Sequence, residues 1–228
     1  MSLLIMAEQL LLAVKQHQDT QLLQTAMATA SPEALQTDLP DDTAKKAFWI
    51  NVYNAWIQIL LRQQPQAYQH KTRFFAKRQI PLCGLLFSFN QIEHGLLRRS
   101  AFWWSLGYLH HPFPSVFERS HRLAQKDHRI HFALNCGAKS CPPVAFYQPD
   151  ELEQQLEMAT ANFLEQTTQY DAAKHQVTVS KLLLWFQGDF GGKKGVGKLL
   201  RKWQLIPNND PQPRFFYAAY DWQLALEA

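Results

Sequence analysis

Apolar residues crowd most densely at 43–63, where KKAFWINVYNAWIQILLRQ is hydrophobic on nearly every face of a helix. A helix that is apolar all round is buried, so the pattern predicts a central helix there, capped by Asp42 or Thr43. Stretches 3–17 and about 19–29 read as further helices, and Ser31-Pro32 closes the second. Pro149-Asp150-Glu151 opens a helix to about 168, with Leu152, Leu156, Ala159 and Phe163 along one face. A helix is also predicted over 90–104, a short one capped by Ser180 over KLLLWFQ, and another over 195–204. Residues 107–114 form a loop rich in His, Pro and aromatics.

Strand patterns are few and short: 80–82, 176–179 and the RFFYAAYDW run near the end. At 129–135, Ile130, Phe132 and Leu134 alternate with His131, Ala133 and Asn135, a period of two that predicts a strand. Helices dominate and do not alternate with strands, so the fold class is α+β: a helix-rich single domain with a small, mostly antiparallel sheet. Residues 1–40 read as an N-terminal helical extension and 41–228 as the domain.

Composition changes this picture little. With 46% hydrophobic and 18% charged residues in 228, the chain can bury one core. A net charge of +4 permits an anionic partner without requiring one. No apolar run is long enough to span a membrane, and the start, LLIMAEQLLLAVKQHQD, reads as an amphipathic helix and not a signal peptide. Three cysteines are no disulfide framework, so a reducing, cytoplasmic setting is expected, with no membrane partner.

Candidate chemistry concentrates in RIHFALNCGAKSCPPV, residues 129–144. Gly137 permits a sharp turn after His131, Asn135 and Cys136, while Pro142-Pro143 stiffen the exit from Cys141. A nucleophilic cysteine needs a neighbouring base, and the base needs an orienting group, so these residue types suit acyl transfer. They also suit a tight turn holding a buried thiol and a satisfied histidine. Zinc is a third reading: Cys136 and Cys141 are spaced C-x4-C, with His131 nearby and His94 as a distant ligand. A Cys136–Cys141 disulfide is the least favoured.

Asn51 and Asn54 share a face of the central helix, either as internal hydrogen-bonding groups or as donors aimed into a site. In NQIEHGLLRR, Glu93, His94 and Arg98 fall together, and His94 is a candidate base. GKKGVGK, 192–198, lacks the Ser or Thr of a phosphate loop, since Leu199 stands there. Its lysines read as a solvated face, and nucleic acid is not expected as a partner.

The segments KKAFWINVYNAW, FNQIEHGLLRR, RIHFALNCGAKSCPPV, VSKLLLWFQGDF and YDWQL, in that order, resemble the domain-of-unknown-function 547 family over about residues 44–224. The resemblance implies occurrence in bacteria and plants, some plant members carrying an added leucine-zipper segment. It points to the polar positions Asn51, Asn54, Glu93, His94, Arg98, His131, Asn135, Cys136, Ser140, Cys141, Asp189 and Asp221. The chain departs from that pattern at His128 and Ala225.

By analogy with papain-like and transglutaminase-like folds, the leading expectation is a cysteine-dependent hydrolase or acyltransferase acting on an amide or thioester. Cys141 would be its nucleophile, His94 or His131 its base, and Asn54 or Glu93 the orienter. Asn51, Asn135, Cys136, Ser140, Arg98 and Asp189 would bind ligand. The alternatives are a non-catalytic module for a small molecule or peptide, and a zinc-stabilised scaffold. No cofactor is called for.

Overall fold

The computed structural model describes residues 1–210 and 213–226. Its elements run α1 (Leu3–Lys15), α2 (Gln21–Thr29), α3 (Ala34–Thr37), α4 (Asp42–Gln63), α5 (Lys71–Ala76), β1 (Ile80–Leu82) and β2 (Leu85–Phe87). They continue through α6 (Val116–His121), α7 (Leu152–Thr167), β3 (Gln169–Asp171), β4 (Gln176–Val179), α8 (Leu182–Trp185), α9 (Gly192–Lys202) and β5 (Arg214–Tyr217). Helix makes up 51% and strand 9%, the helix-rich α+β class expected.

α4 is the central buried helix. Asp41, not Asp42 or Thr43, caps it, accepting the Ala44 N–H at 2.8 Å. Phe48, Trp49, Ile50 and Tyr53 are sealed from solvent, each such side chain contributing roughly 1.5–3 kcal/mol by leaving water. The apolar stripe of α1, including Leu3, Leu10 and Leu11, belongs to the same core. β1 and β2 form an antiparallel hairpin. A second core lies under the other sheet, where β4 pairs antiparallel with β3 and parallel with β5. Phe132, Phe163, Leu164, Val177 and Leu200 fill it.

Two predicted elements differ. Residues 129–135 are not a strand: His128–Phe132 is a 3-10 turn, begun when the Asp127 carboxylate accepts the Arg129 N–H. Ile130, His131, Phe132, Ala133 and Leu134 are all buried, so the alternation does not divide a core face from a solvent face. Ile130 enters the α4 core while Phe132 enters the second one, and that split requires a turning chain.

The helix expected over 90–104 is a single wide, π-type turn at Gln91–Leu97. Backbone bonds span five residues there, Arg98 N–H to Glu93 C=O and Ser100 N–H to Gly95 C=O, both 2.8 Å. Arg99 and Ser100 then enter the left-handed region, at φ 57° and 61°, and helix cannot continue. Such turns recur at functional sites.

Candidate functional site

Between the two cores lies an open cleft of about 610 Å³. Tyr53 of α4, Glu93 and His94 of the wide turn, and Cys136 and Cys141 of the following loop line it. Trp185, Phe186, Tyr220, Trp222, Trp103 and Trp104 supply aromatic walls. His131 also reaches it, although its side chain is only 1% exposed.

The asparagine side chains explain how the cysteine loop is held. Asn51 donates to the Tyr147 carbonyl at 2.8 Å and accepts the Tyr147 N–H at 3.1 Å. Asn54 does the same for the other strand of chain, donating to Ala133 C=O and accepting Asn135 N–H, both at 2.9 Å. Each amide imitates a peptide group and so satisfies backbone that no sheet reaches.

Asn135 closes the loop on itself, donating to Pro142 C=O at 2.7 Å and accepting Gly137 N–H at 2.8 Å. Gly137 is needed at φ 83°, where a Cβ would come within 2.8 Å of Leu61 Cδ1. Ser140 accepts the Asp221 N–H at 2.9 Å, tying the loop to the C-terminal segment that carries Tyr220 and Trp222.

This closure brings Cys136 and Cys141 together as a disulfide with a Cα–Cα separation of 6.2 Å. The pairing overturns the expectation of free thiols, and its cause is the Asn135 clamp, which fixes both ends of the six-residue loop. The Tyr220 hydroxyl stands 3.4 and 3.2 Å from the two sulfurs and, since a disulfide has no proton, is the donor. Cys83 is buried, and burial pushes its thiol up to about 11.

Behind the cleft wall is an ionic cluster centred on Asp189. One carboxylate oxygen accepts from Arg98 Nε at 2.6 Å and His131 Nε2 at 2.9 Å, while the other accepts from Lys126 Nζ at 3.1 Å. Burial works to raise this carboxyl, but the hydrogen bond from His131 and the charge of Arg98 outweigh it and hold it below the usual range. The guanidinium of Arg98 lies 4.7 Å from the Phe186 ring centre, and the His131 ring stacks on it at 3.8 Å. The approach of residue 107 to Asp189 is so close that a Cβ there would sit 2.6 Å from Oδ1, which requires Gly107.

His94 is different. Its Nδ1 lies 2.7 Å from Arg98 Nη1, and since a guanidinium only donates, Nδ1 must be the acceptor. The ring proton is therefore on Nε2, for which no protein partner exists among the described residues. Burial, aided by Arg98, lowers the His94 pKa, so the ring is neutral at pH 7. Glu93 lies alongside, 3.6 Å from His94 Nδ1, and accepts the Tyr53 hydroxyl at 3.3 Å. His131 is likewise pushed down, chiefly by burial.

Of the predicted residues, the fold gathers Glu93, His94, His131, Cys136 and Cys141 at one cleft. It holds Asn51, Asn54, Asn135, Ser140, Arg98 and Asp189 outside the lining, as supports. Neither histidine is hydrogen-bonded to a cysteine among the described residues. No group of three or more His, Cys, Asp or Glu among those residues could hold a metal ion, so the zinc scaffold has no ligand set. Sequence reasoning missed Tyr53, Tyr220 and the tryptophans of the wall. Tyr53 stands next to Asn54, but nothing in spacing marks a cleft residue against a core one.

Searches of curated proteins and of solved structures return no match. A family model described as "Protein of unknown function, DUF547" matches residues 37–164, which takes in Glu93, His94, His131 and both cysteines but not Asp189, Trp185 or Tyr220. That match covers more than half of the chain, and the chain belongs to this family.

Proposed function

We propose that the cleft binds a small, mostly apolar ligand through an amide head, and that binding does not need the cysteines as nucleophiles. The observation that carries this reading is the pair of polar groups on the lining: the Nε2–H of His94 as donor and the Glu93 carboxylate as acceptor. An amide offers a carbonyl to the first and an N–H to the second, while aromatic walls take its apolar body. A small molecule or the end of a peptide would supply that chemistry.

Titration calorimetry with octanamide tests it. Octanamide should bind, and methyl octanoate, which cannot donate to Glu93, should bind at least about tenfold more weakly. His94→Asn keeps an acceptor for Arg98 and removes the Nε2–H, and it should weaken octanamide by a similar factor. Equal binding of amide and ester, or an unaffected His94→Asn protein, would contradict the reading.

A second reading rests on the placing of both sulfurs and His94 on the same cleft. Reduction by a dithiol would yield two thiols here and one disulfide in the reductant. Cys141 could then add to an amide or thioester carbonyl, its proton passing to His94 once Arg98 releases Nδ1 and on to the amine or thiol that leaves, and water would then free the acyl group from Cys141. Hydrolysis of a chromogenic thioester that appears only after reduction, and vanishes in Cys141→Ser, would favour this enzyme. No turnover by the reduced protein would remove it.

A further inference from the structure

Residues 102–116 carry an exposed apolar surface that nothing in the fold covers. Trp103, Phe113 and Val116 are 67%, 85% and 73% exposed. Of the sixteen large hydrophobic side chains standing exposed among the described residues, seven lie within 103–116, a concentration in one segment. No acidic residue occurs from 99 to 117.

The rim of this patch is cationic. Exposed Arg99 and Arg119 flank it in sequence, and Lys126 Nζ reaches to 3.4 Å from the Gly107 carbonyl. The start of α9, with exposed Lys193 and Lys194, meets the patch at Tyr108, whose hydroxyl lies 3.4 Å from where a Gly192 Cβ would be. Two carboxylates beside it are already engaged: Asp189 is 2% exposed and triply paired, and Glu118 accepts from Ser100.

We infer that this loop docks on an anionic membrane surface. Tryptophan and tyrosine prefer the boundary of a bilayer because one end of each is apolar and the other polar, and lysines and arginines beside them meet acidic headgroups. A lipid surface fits better than an acidic protein because the patch runs into the cleft. Trp103, Trp104 and Leu106 are both solvent-exposed and part of its lining, so an acyl chain can pass from bilayer to cleft without crossing water. No helix among the described residues is long and apolar enough to cross a membrane, and surface docking needs none. That the cleft's ligand is a lipid amide rests on the binding reading above; the docking itself does not.

The test is flotation with vesicles of phosphatidylcholine alone and of equimolar phosphatidylcholine and phosphatidylglycerol. The protein should float with the anionic vesicles, less at high salt, and not with the neutral ones. Phe113 and Val116 lie outside the cleft lining, so Phe113→Ser/Val116→Ser should lose about tenfold in vesicle binding while retaining octanamide binding. Lys193→Glu/Lys194→Glu should weaken flotation too. The inference is overturned if the wild type floats with neither vesicle, or if the Phe113/Val116 variant floats as well as the wild type. It is also overturned if polyaspartate beads capture the protein in preference to anionic vesicles, which would mark an acidic protein partner. Vesicle binding that survives a failed octanamide titration would leave the docking standing and remove only the amide head.

Discussion

Asn51 and Asn54 on α4, and Glu93 and His94 on the turn after β2, are polar groups set among apolar neighbours, yet they end in opposite states. The asparagines bind backbone through both ends of each amide and leave nothing for a ligand. His94 gives one nitrogen to Arg98 and keeps the other, beside a carboxylate with acceptor capacity left over, on the wall of a cleft. Residue type does not separate them. What separates them is whether the chain itself exhausts their hydrogen-bonding capacity.

The contrast can be broken most severely behind the cleft. Asp189→Asn strips Arg98 of its ion-pair partner among the described residues, and loss of one partner of a buried pair costs roughly 3–5 kcal/mol. Urea denaturation should show this loss, and a stability near wild type would mean that the Arg98–Asp189 pair does not hold the wall behind the cleft. Asn54→Ala comes next. It leaves Ala133 C=O and Asn135 N–H buried and unpaired, at a cost of about 2–4 kcal/mol. If the asparagine is purely structural, octanamide affinity of the folded protein should not change.

Reduction of Cys136–Cys141 should lower stability by about 2 kcal/mol, the loop entropy of so short a ring. Calorimetric melts with and without a dithiol measure it. Iodoacetamide should label neither Cys136 nor Cys141 before reduction and both after it. Labelling of either in untreated protein would deny the pairing.

The smallest effect is with acid. His94 and His131 have folded pKa values below the ordinary 6.5, so the unfolded chain binds protons first. Their contribution is present above pH 6.5 and falls, by on the order of 1 kcal/mol per pH unit per group, as pH drops below it. Asp189 and Asp127, held below the usual carboxylate range, add a second loss further into acid. His131→Gln, which keeps a donor for Asp189, should flatten the first decline; an unchanged profile would assign it elsewhere.

How much of this was legible in the chain follows the same division. α4 was readable because a helix apolar on all sides has only one place to go, and the two strands at 80–82 and 176–179 appear where predicted. The stretch 129–135 was misread as a strand because alternation signals one only when one face meets solvent, and here every position from Ile130 to Asn135 is buried. The helix expected to 104 fails at Arg99 and Ser100, whose left-handed backbone has no Gly or Asn to announce it. The motif around Cys136 and Cys141 stood out by its residue types. Its disulfide did not, because it depends on the Asn135 clamp, and the aromatic cleft wall is gathered from three distant segments.

The most direct measurement is nitrogen-detected NMR of the histidine rings and asparagine side chains during titration with octanamide. His94 should appear as the neutral Nε2–H form, and its signals should move with ligand, while the side-chain amides of Asn51 and Asn54 stay fixed. Movement of the asparagine signals with His94 unmoved, or a free ligand-independent Nδ1–H form of His94, would contradict the account.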